Sequence, residues 1–229
     1  MKKPIAIIPA RGGSKRIPRK NIVDINGKPM ISYAIETALK SQIFGEVIVS
    51  TEDAEIKEIS ISFGAKVIDR PDELATDTVF ETDVYKHVLS TFDTPPPFFC
   101  GIYATAIFIE PHDLIDSFSM IKEDGSADIV MSTSRYQIHP FKALLENDQG
   151  YMEMVHPKEC LMRSQTYPDY VASNGTFYWC RTQSYLKNPS YYPEKLKAYI
   201  LPIDKGQDID EPEDLEIARA LKRIKSKII

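Results

Sequence analysis

Residues 5–21, IAIIPARGGSKRIPRKN, carry a β-branched apolar run straight into a turn that holds Gly12, Gly13, Ser14 and five cations, Arg11, Lys15, Arg16, Arg19 and Lys20. A short continuous apolar run that ends on a turn signal reads as a buried strand of a parallel sheet. Gly12 and Gly13 let the backbone bend so that N–H groups converge on an anion. The cations add charge-assisted hydrogen bonds, roughly twice as strong as neutral ones. The segment therefore reads as a phosphate cradle; a glycine turn with a solvated basic face is the plainer alternative. Spacing excludes two nucleotide motifs. A Walker A loop needs a Gly-Lys pair after four intervening residues, and a dinucleotide fingerprint needs a third glycine and an immediate helix, which Pro18 delays. What remains is a long basic loop suited to a triphosphate.

Outward from this loop, apolar runs recur at IAIIPA (5–10), EVIVST (46–51), AKVI (65–68), FFCGIYAT (98–105) and ADIVMSTS (127–134). Between them lie stretches of helical periodicity, MISYAIETALKSQ (30–42), DAEIKEISISF (53–63) and TVFETDVYKHVLSTF (78–92). Such alternation predicts an α/β fold with a mostly parallel sheet and right-handed crossovers. Ligands of these sheets bind beyond the carboxyl ends of strands, which is where the basic loop, Ser50–Asp53 and Tyr103–Ala106 fall. From Gln137 to Thr176 the rhythm changes to short extended pieces, Lys142–Leu145, Tyr151–Val155 and Ser173–Trp179, broken by Asn147, Asp148, Gly150 and Pro157. This predicts an inserted hairpin subdomain over 137–176 within a single domain spanning 1–229. The βα rhythm resumes at KAYILPID (197–204), and a last helix opens near Glu211-Pro212, proline suiting a first helical position.

The chain has 229 residues, 43% apolar and 27% charged, enough for a substantial core. No stretch approaches a membrane span, and Met1-Lys2-Lys3 leads directly into a strand, so a cytoplasmic location without membrane attachment is expected. Cys100, Cys160 and Cys180 are odd in number and widely spaced, which argues against a disulfide framework or a zinc knuckle. A net charge of −5 excludes a general nucleic-acid binder. Five cations within ten residues of an acidic chain point instead to a small polyanion.

Gln207-Asp208-Ile209-Asp210 is the second informative group, because alternate residues of an extended segment share a face. Two carboxylates side by side suit Mg²⁺, which is usually completed by substrate phosphates and waters. A loop aspartate followed by a helix N-cap is the alternative. The four histidines, His87, His112, His139 and His156, show no metal-ligand spacing, and no G-x-S-x-G nucleophile motif occurs. This favours direct nucleotidyl transfer, where positioning and charge stabilisation do most of the catalysis.

In order along the chain, PARGGSKRIPRKN, VSTEDAEI, RPDELATD, HPFKAL, MRSQ, NGTFYW and QDIDEPEDL resemble the motif set of the acylneuraminate cytidylyltransferases, or CMP-sialic acid synthetases, as far as about Ala220. YATA, MRSQ and FYW are most similar to the pseudaminic acid cytidylyltransferase branch. The resemblance implies a three-layer Rossmann-like nucleotide-diphospho-sugar transferase fold whose inserted hairpin serves dimerisation, and a homodimer. It implies the reaction of CTP with a nonulosonic acid, pseudaminic, legionaminic or sialic, to CMP-sugar and pyrophosphate with Mg²⁺, for surface glycans. It places Ala10, Arg11, Gly12, Gly13, Ser14, Lys15, Lys20, Asn21, Arg70, Glu81 and Thr82 around the nucleotide. Tyr103, Lys142, Arg163, Gln165, Asn174 and Tyr178 would face the sugar, and Asp208 and Asp210 the metal. Arg11, Lys15, Lys20 and the two aspartates are the expected catalytic set.

Where the sialic acid pattern has LQPTSPL, this chain reads Ile102–Phe108, IYATAIF, with Tyr103 in place of the glutamine. An aromatic there suits a less hydroxylated sugar, and plain core packing is the alternative. The 3-deoxy-manno-octulosonate cytidylyltransferase reaction, and a binding protein that has lost turnover, are the competing functions.

Overall fold

The computed structural model describes residues 2–228; Met1, part of the amino-terminal reading above, and Ile229 lie outside the described residues. The strand predicted to precede the basic loop is β1 (Ile5–Pro9). Its alternate residues divide between two cores: Ala6 and Ile8 join one, Ile5 and Ile7 the other. Period-two alternation with both faces apolar demands helices on both sides, and the chain supplies them.

After β1 comes a small hairpin, β2 (Asp24–Ile25) and β3 (Lys28–Pro29). Its turn residues Asn26 and Gly27 have φ of 54° and 89°, the positive pair that a tight two-residue hairpin requires. Then follow α1 (Met30–Ser41), β4 (Glu46–Thr51), α2 (Ala54–Ser62), β5 (Lys66–Asp69), α3 (Glu81–Ser90) and β6 (Phe98–Ile102). Next are α4 (Pro111–Glu123), β7 (Ile129–Arg135), the pair β8 (Leu144–Glu146) and β9 (Met152–Met154), and the short α5 (Pro157–Cys160). The chain closes with β10 (Val171–Arg181), α6 (Thr182–Lys187), β11 (Leu196–Ile200) and α7 (Pro212–Ile228).

The main sheet has seven strands in the order β11-β7-β10-β6-β1-β4-β5. All neighbours are parallel except β10, which runs antiparallel to both β6 and β7. Ala34 and Ile35 of α1, Ile56 of α2 and Leu114 and Ile121 of α4 cover one face. Tyr85, Val88 and Leu89 of α3 with Tyr185 of α6 cover the other, which makes the three layers. Among the described residues no helix is long and apolar enough to cross a membrane.

One expected boundary moves. Residues 171–176 are not part of the hairpin insert but the first half of β10, an eleven-residue strand of the main sheet. Its sheet character was hidden because pairing with β7 breaks between Ser173 and Tyr178, at a bulge around Gly175, whose φ is +61°. Bulges of this kind re-aim side chains beside binding sites. The insert proper is the arm between β7 and β10, where Leu144 pairs with Met154 across β8 and β9.

A third apolar cluster positions the site. Ile17 of the basic loop and Ile209 of the QDID segment are both buried, packed with Ile25, Met30, Phe108 and Leu215. Ile209 is flanked by Asp208 and Asp210, and Ile17 lies beside Arg16 and three residues before Lys20, so burying the two isoleucines leaves these four charged residues lining a common space.

Candidate functional site

That space is a pocket of about 580 Å³ at the carboxyl ends of β1, β5 and β6. Arg11, Ser14, Lys15, Lys20 and Asn21 line it from the basic loop, Arg70 and Glu81 from one side, Tyr103 from beneath, and Asp208 and Asp210 from the carboxy-terminal side. The cationic loop and the aspartate pair thus converge on one cavity.

The loop is held in shape by its own ion pairs. Arg19 takes a left-handed conformation, φ 58°, and its guanidinium clamps Asp53 through both carboxylate oxygens and Glu55 at 2.6 Å. Asp53 also caps α2 by accepting the Ile56 N–H at 3.0 Å. A Cβ on Gly12 would lie 2.5 Å from Asp53 Oδ2, so this position needs glycine, whereas Gly13 has open space around it. The glycines do not form the expected converging backbone nest: the Gly12 N–H donates to Glu52 Oε1 at 2.7 Å, and neither glycine lines the pocket. Side chains make the cradle, because the long loop places four cations, Arg11, Lys15, Arg16 and Lys20, where a short turn would place N–H groups.

Lys20 Nζ donates to the Ile209 carbonyl and to Asp210 Oδ1, each at 3.0 Å. Arg16 pairs with Asp210 at 3.0 Å and Glu211 at 2.8 Å. Burial alone would raise the Asp210 pKa, but Lys20 and Arg16 outweigh it and hold this carboxyl below its ordinary value. Asp208 moves the opposite way: desolvation, then the Asp210 charge, raise it. It makes no ion pair among the described residues, accepting only the Ile209 N–H at 2.9 Å. Two neighbouring carboxyls are thus driven apart by their surroundings, an arrangement that suits an acid–base or ligand pair. The N-cap reading of Asp210 is not what the side chain does, since Asp214 accepts the N–H groups of Asp210 and Glu211 at 3.0 and 2.8 Å.

Arg70 is buried and donates to the Ser50 carbonyl at 2.7 Å, with no ion-pair partner among the described residues. Desolvation accordingly lowers its pKa. A buried guanidinium with no direct ion pair among the described residues, on a pocket wall, suits an anionic ligand. Ala10 is buried at the end of β1, its N–H donating to the Ser50 carbonyl at 3.0 Å, and Thr82 lies in the first turn of α3 outside the pocket lining.

The residues expected at the sugar are divided. Tyr103 lines the pocket and packs on Tyr178, ring centroids 5.9 Å apart, and the Tyr178 hydroxyl meets Ser173 Oγ at 2.7 Å. Asn174 is buried behind the pocket: its carbonyl accepts from Ser132 at 2.8 Å and its amide donates to Ser134 at 3.0 Å. There it abuts Gly206, where a Cβ would stand 2.6 Å from the Asn174 amide, so it sets the path of the chain into Asp208. Lys142, Arg163 and Gln165 sit on the projecting arm and do not line the pocket of their own chain. Sequence reasoning missed Glu52, Asp77 and Gly175. Asp77 was inside a quoted motif, but only the folded chain shows it facing Arg11 and Lys15.

Asp208 and Asp210 fit a hard divalent cation: two carboxylates, one residue apart, lining the same pocket, one of them without an ion pair among the described residues and raised first by burial and then by the other's charge. The other oxygen-rich cluster, Glu110, His112 and Asp113, already surrounds Lys205, whose Nζ lies 2.6 Å from Glu110 and 2.9 Å from Asp113.

Residues 5–227 match the family described as cytidylyltransferase. The chain belongs to that family. It is therefore an enzyme. This cytidylyltransferase is 35% identical to the pseudaminic acid cytidylyltransferase of Campylobacter jejuni, with 97% of each chain covered. It is 30% identical to the CMP-N,N'-diacetyllegionaminic acid synthase of Legionella pneumophila over 98% of each chain. Its fold superimposes on the solved structure of CMP:2-keto-3-deoxy-manno-octonic acid synthetase complexed with CTP, with a TM-score of 0.73 and 23% identity, covering 98% of this chain and 100% of that one.

Proposed function

We propose that this cytidylyltransferase couples CTP to a nonulosonic acid of the pseudaminic type, releasing pyrophosphate, with Mg²⁺ at Asp208 and Asp210 and two chains per active assembly. The observation that carries the reading is the shared cavity: a polycationic loop and an aspartate pair line one space of about 580 Å³. The full-length similarity to the Campylobacter enzyme supports the sugar class.

The anomeric hydroxyl oxygen of the sugar attacks the α-phosphorus; the bond from that phosphorus to the bridging oxygen breaks, and pyrophosphate leaves with the electron pair. Arg11, Lys15, Lys20 and Arg70 counter the charge gathering on the phosphoryl oxygens. Bound magnesium would add charge neutralisation at the phosphates. Asp208, which makes no ion pair among the described residues, has the freer oxygens of the two, so that one could hold the ion while the other takes the hydroxyl proton, whereas Asp210 pairs with Lys20 and Arg16. Tyr103 presents an apolar ring where a polyol would need a hydrogen-bonding side chain, which supports a deoxygenated, acylated sugar.

The dimer reading draws on the arm. Leu144, Leu145, Tyr151, Met152 and Leu161 are all exposed on it, an apolar surface of the kind that marks a protein interface. Lys142, Arg163 and Gln165 share the arm, so a second copy could bring them over the neighbouring pocket.

Pyrophosphate release from CTP and Mg²⁺ with pseudaminic, legionaminic, neuraminic and 3-deoxy-manno-octulosonic acids in parallel tests the proposal. Turnover strongest with pseudaminic acid is expected. Preference for the eight-carbon acid would replace the sugar assignment, and release with none would leave a binding protein.

A further inference from the structure

Arg11 and Lys15 meet the same counter-charge. Arg11 Nη1 lies 2.6 Å from Asp77 Oδ1, and Lys15 Nζ is bonded to Asp77 Oδ2. Arg11 Nη1 also reaches the Ala75 carbonyl at 3.5 Å. Asp77 comes from the stretch between β5 and α3, which contains one short 3-10 turn, Asp72–Leu74, and whose Leu74, Thr76 and Val79 line the pocket. Its side chain is 42% exposed, so it is free to swing away without opening any core.

The remaining loop cations are arranged differently. Arg19 is tied to Asp53 and Glu55, which lie outside the pocket and shape the loop. Lys20 and Arg16 bind Asp210, a residue of the site itself. At Arg11 and Lys15 the partner is instead Asp77, a carboxylate from outside the loop and the aspartate pair that meets two pocket cations at once; among the described residues Glu211, the other such carboxylate, meets Arg16 alone. A carboxylate oxygen and a phosphate oxygen make the same demand on a guanidinium and an ammonium. Asp77 and a phosphate chain therefore compete for the same donors.

We propose that Asp77 is an exchange residue: it occupies the phosphate position on Arg11 and Lys15 in the free enzyme, yields to the incoming triphosphate, and returns to displace pyrophosphate after transfer. The inference rests on the cytidylyl-transfer reading and deepens it. Uniform tight binding of substrate and product phosphates lowers KM without raising turnover and holds the product in the site. An internal anion weakens both equally and so speeds release. The Asp77 carboxyl is held below its usual range, first by Lys15 and then by Arg11, so it stays charged throughout the working range.

Calorimetric titration of CTP, pyrophosphate and cytidine into the wild type and into Asp77→Asn, Asp77→Ser and Asp77→Glu tests this. Both neutral variants should bind CTP and pyrophosphate about three- to tenfold more tightly, since two exposed ion pairs no longer compete. Cytidine, which lacks phosphates, should bind unchanged, and Asp77→Glu should stay within about twofold of wild type because it keeps the charge. In steady state the neutral variants should show a lower KM for CTP, deeper product inhibition by pyrophosphate and a lower kcat. Equal or weaker CTP and pyrophosphate affinity in either folded neutral variant, beside normal wild-type binding, overturns the proposal alone. Wild-type protein that binds neither CTP nor pyrophosphate overturns the underlying reading as well.

Discussion

Lys20 Nζ stands 3.0 Å from Asp210 Oδ1, joining the amino-terminal loop to the carboxy-terminal segment across 190 positions of sequence. The pair is not what brings these segments together. Ile17 and Ile209, buried in one cluster, do that, and the ion pair then fixes how the charges face the pocket. With Asp210 39% exposed and Lys20 20% exposed, the pair contributes less than about 1 kcal/mol to stability.

Function and stability should therefore separate at these positions. Asp210→Ala is expected to lower kcat by about a thousandfold, as loss of a phosphate-handling charge does, while shifting the urea midpoint little. Lys20→Ala should raise the KM for CTP and lower kcat together. Pyrophosphate-release kinetics beside urea titrations check both, and near-normal turnover in Asp210→Ala would remove its role.

Chelation gives an independent test of the aspartate pair. A chelator should stop pyrophosphate release and added Mg²⁺ should restore it. Asp208→Asn should raise the Mg²⁺ concentration needed for half-maximal rate by about tenfold or more. Full activity in a chelator would remove the metal from the scheme.

The Arg19–Asp53 clamp predicts a particular pH dependence. The Arg19 hydrogen bonds, outweighing burial, hold Asp53 down to about 2 in the fold, against the ordinary aspartate value of about 3.9 in the unfolded chain. The unfolded state then binds more protons between these values, so the contribution is complete above about pH 4 and is lost as pH falls toward 2. Allowing for solvent around Arg19, that contribution is about 1–2 kcal/mol. Asp53→Asn keeps an N-cap and removes only the charge. Its stability deficit should be present at pH 7 and vanish near pH 2, as measured by denaturant unfolding; a deficit independent of pH would assign the effect to packing.

The arm offers the simplest physical test. Leu145→Glu and Leu161→Glu place charges on residues 67% and 79% exposed in the single chain, so the folded monomer should tolerate them. Sedimentation should show a dimer for the wild type and a monomer for the double variant, with turnover falling if Lys142 and Arg163 serve the partner's pocket. A wild-type monomer would remove the dimer.

Much of the site was legible as local pattern. Arg11, Arg70 and Tyr103 reach one cavity because strand ends in a parallel sheet open on one edge, a rule that needs only strand positions; Lys20, Asp208 and Asp210 join them through the burial of Ile17 and Ile209. Other residues deceived for equally physical reasons. Gly12 looked like a nest donor, yet its N–H is taken by Glu52, a partner 40 residues away. Asn174, expected at the sugar, has both ends of its amide engaged by serines of β7, which its place in the sequence did not show. The bulge at Gly175 disguised a long sheet strand as an insert.

Periodicity and spacing by themselves determined the α/β layering and the strand that opens the basic loop, because these depend on near neighbours along the chain. Tertiary structure alone decided which carboxylate answers each cation: Asp53 and Glu55 for Arg19, Asp210 for Lys20 and Arg16, and Asp77 for Arg11 and Lys15. Electrostatic partnership falls off within a few ångströms, and only the burial of distant isoleucines brings those charges within that range.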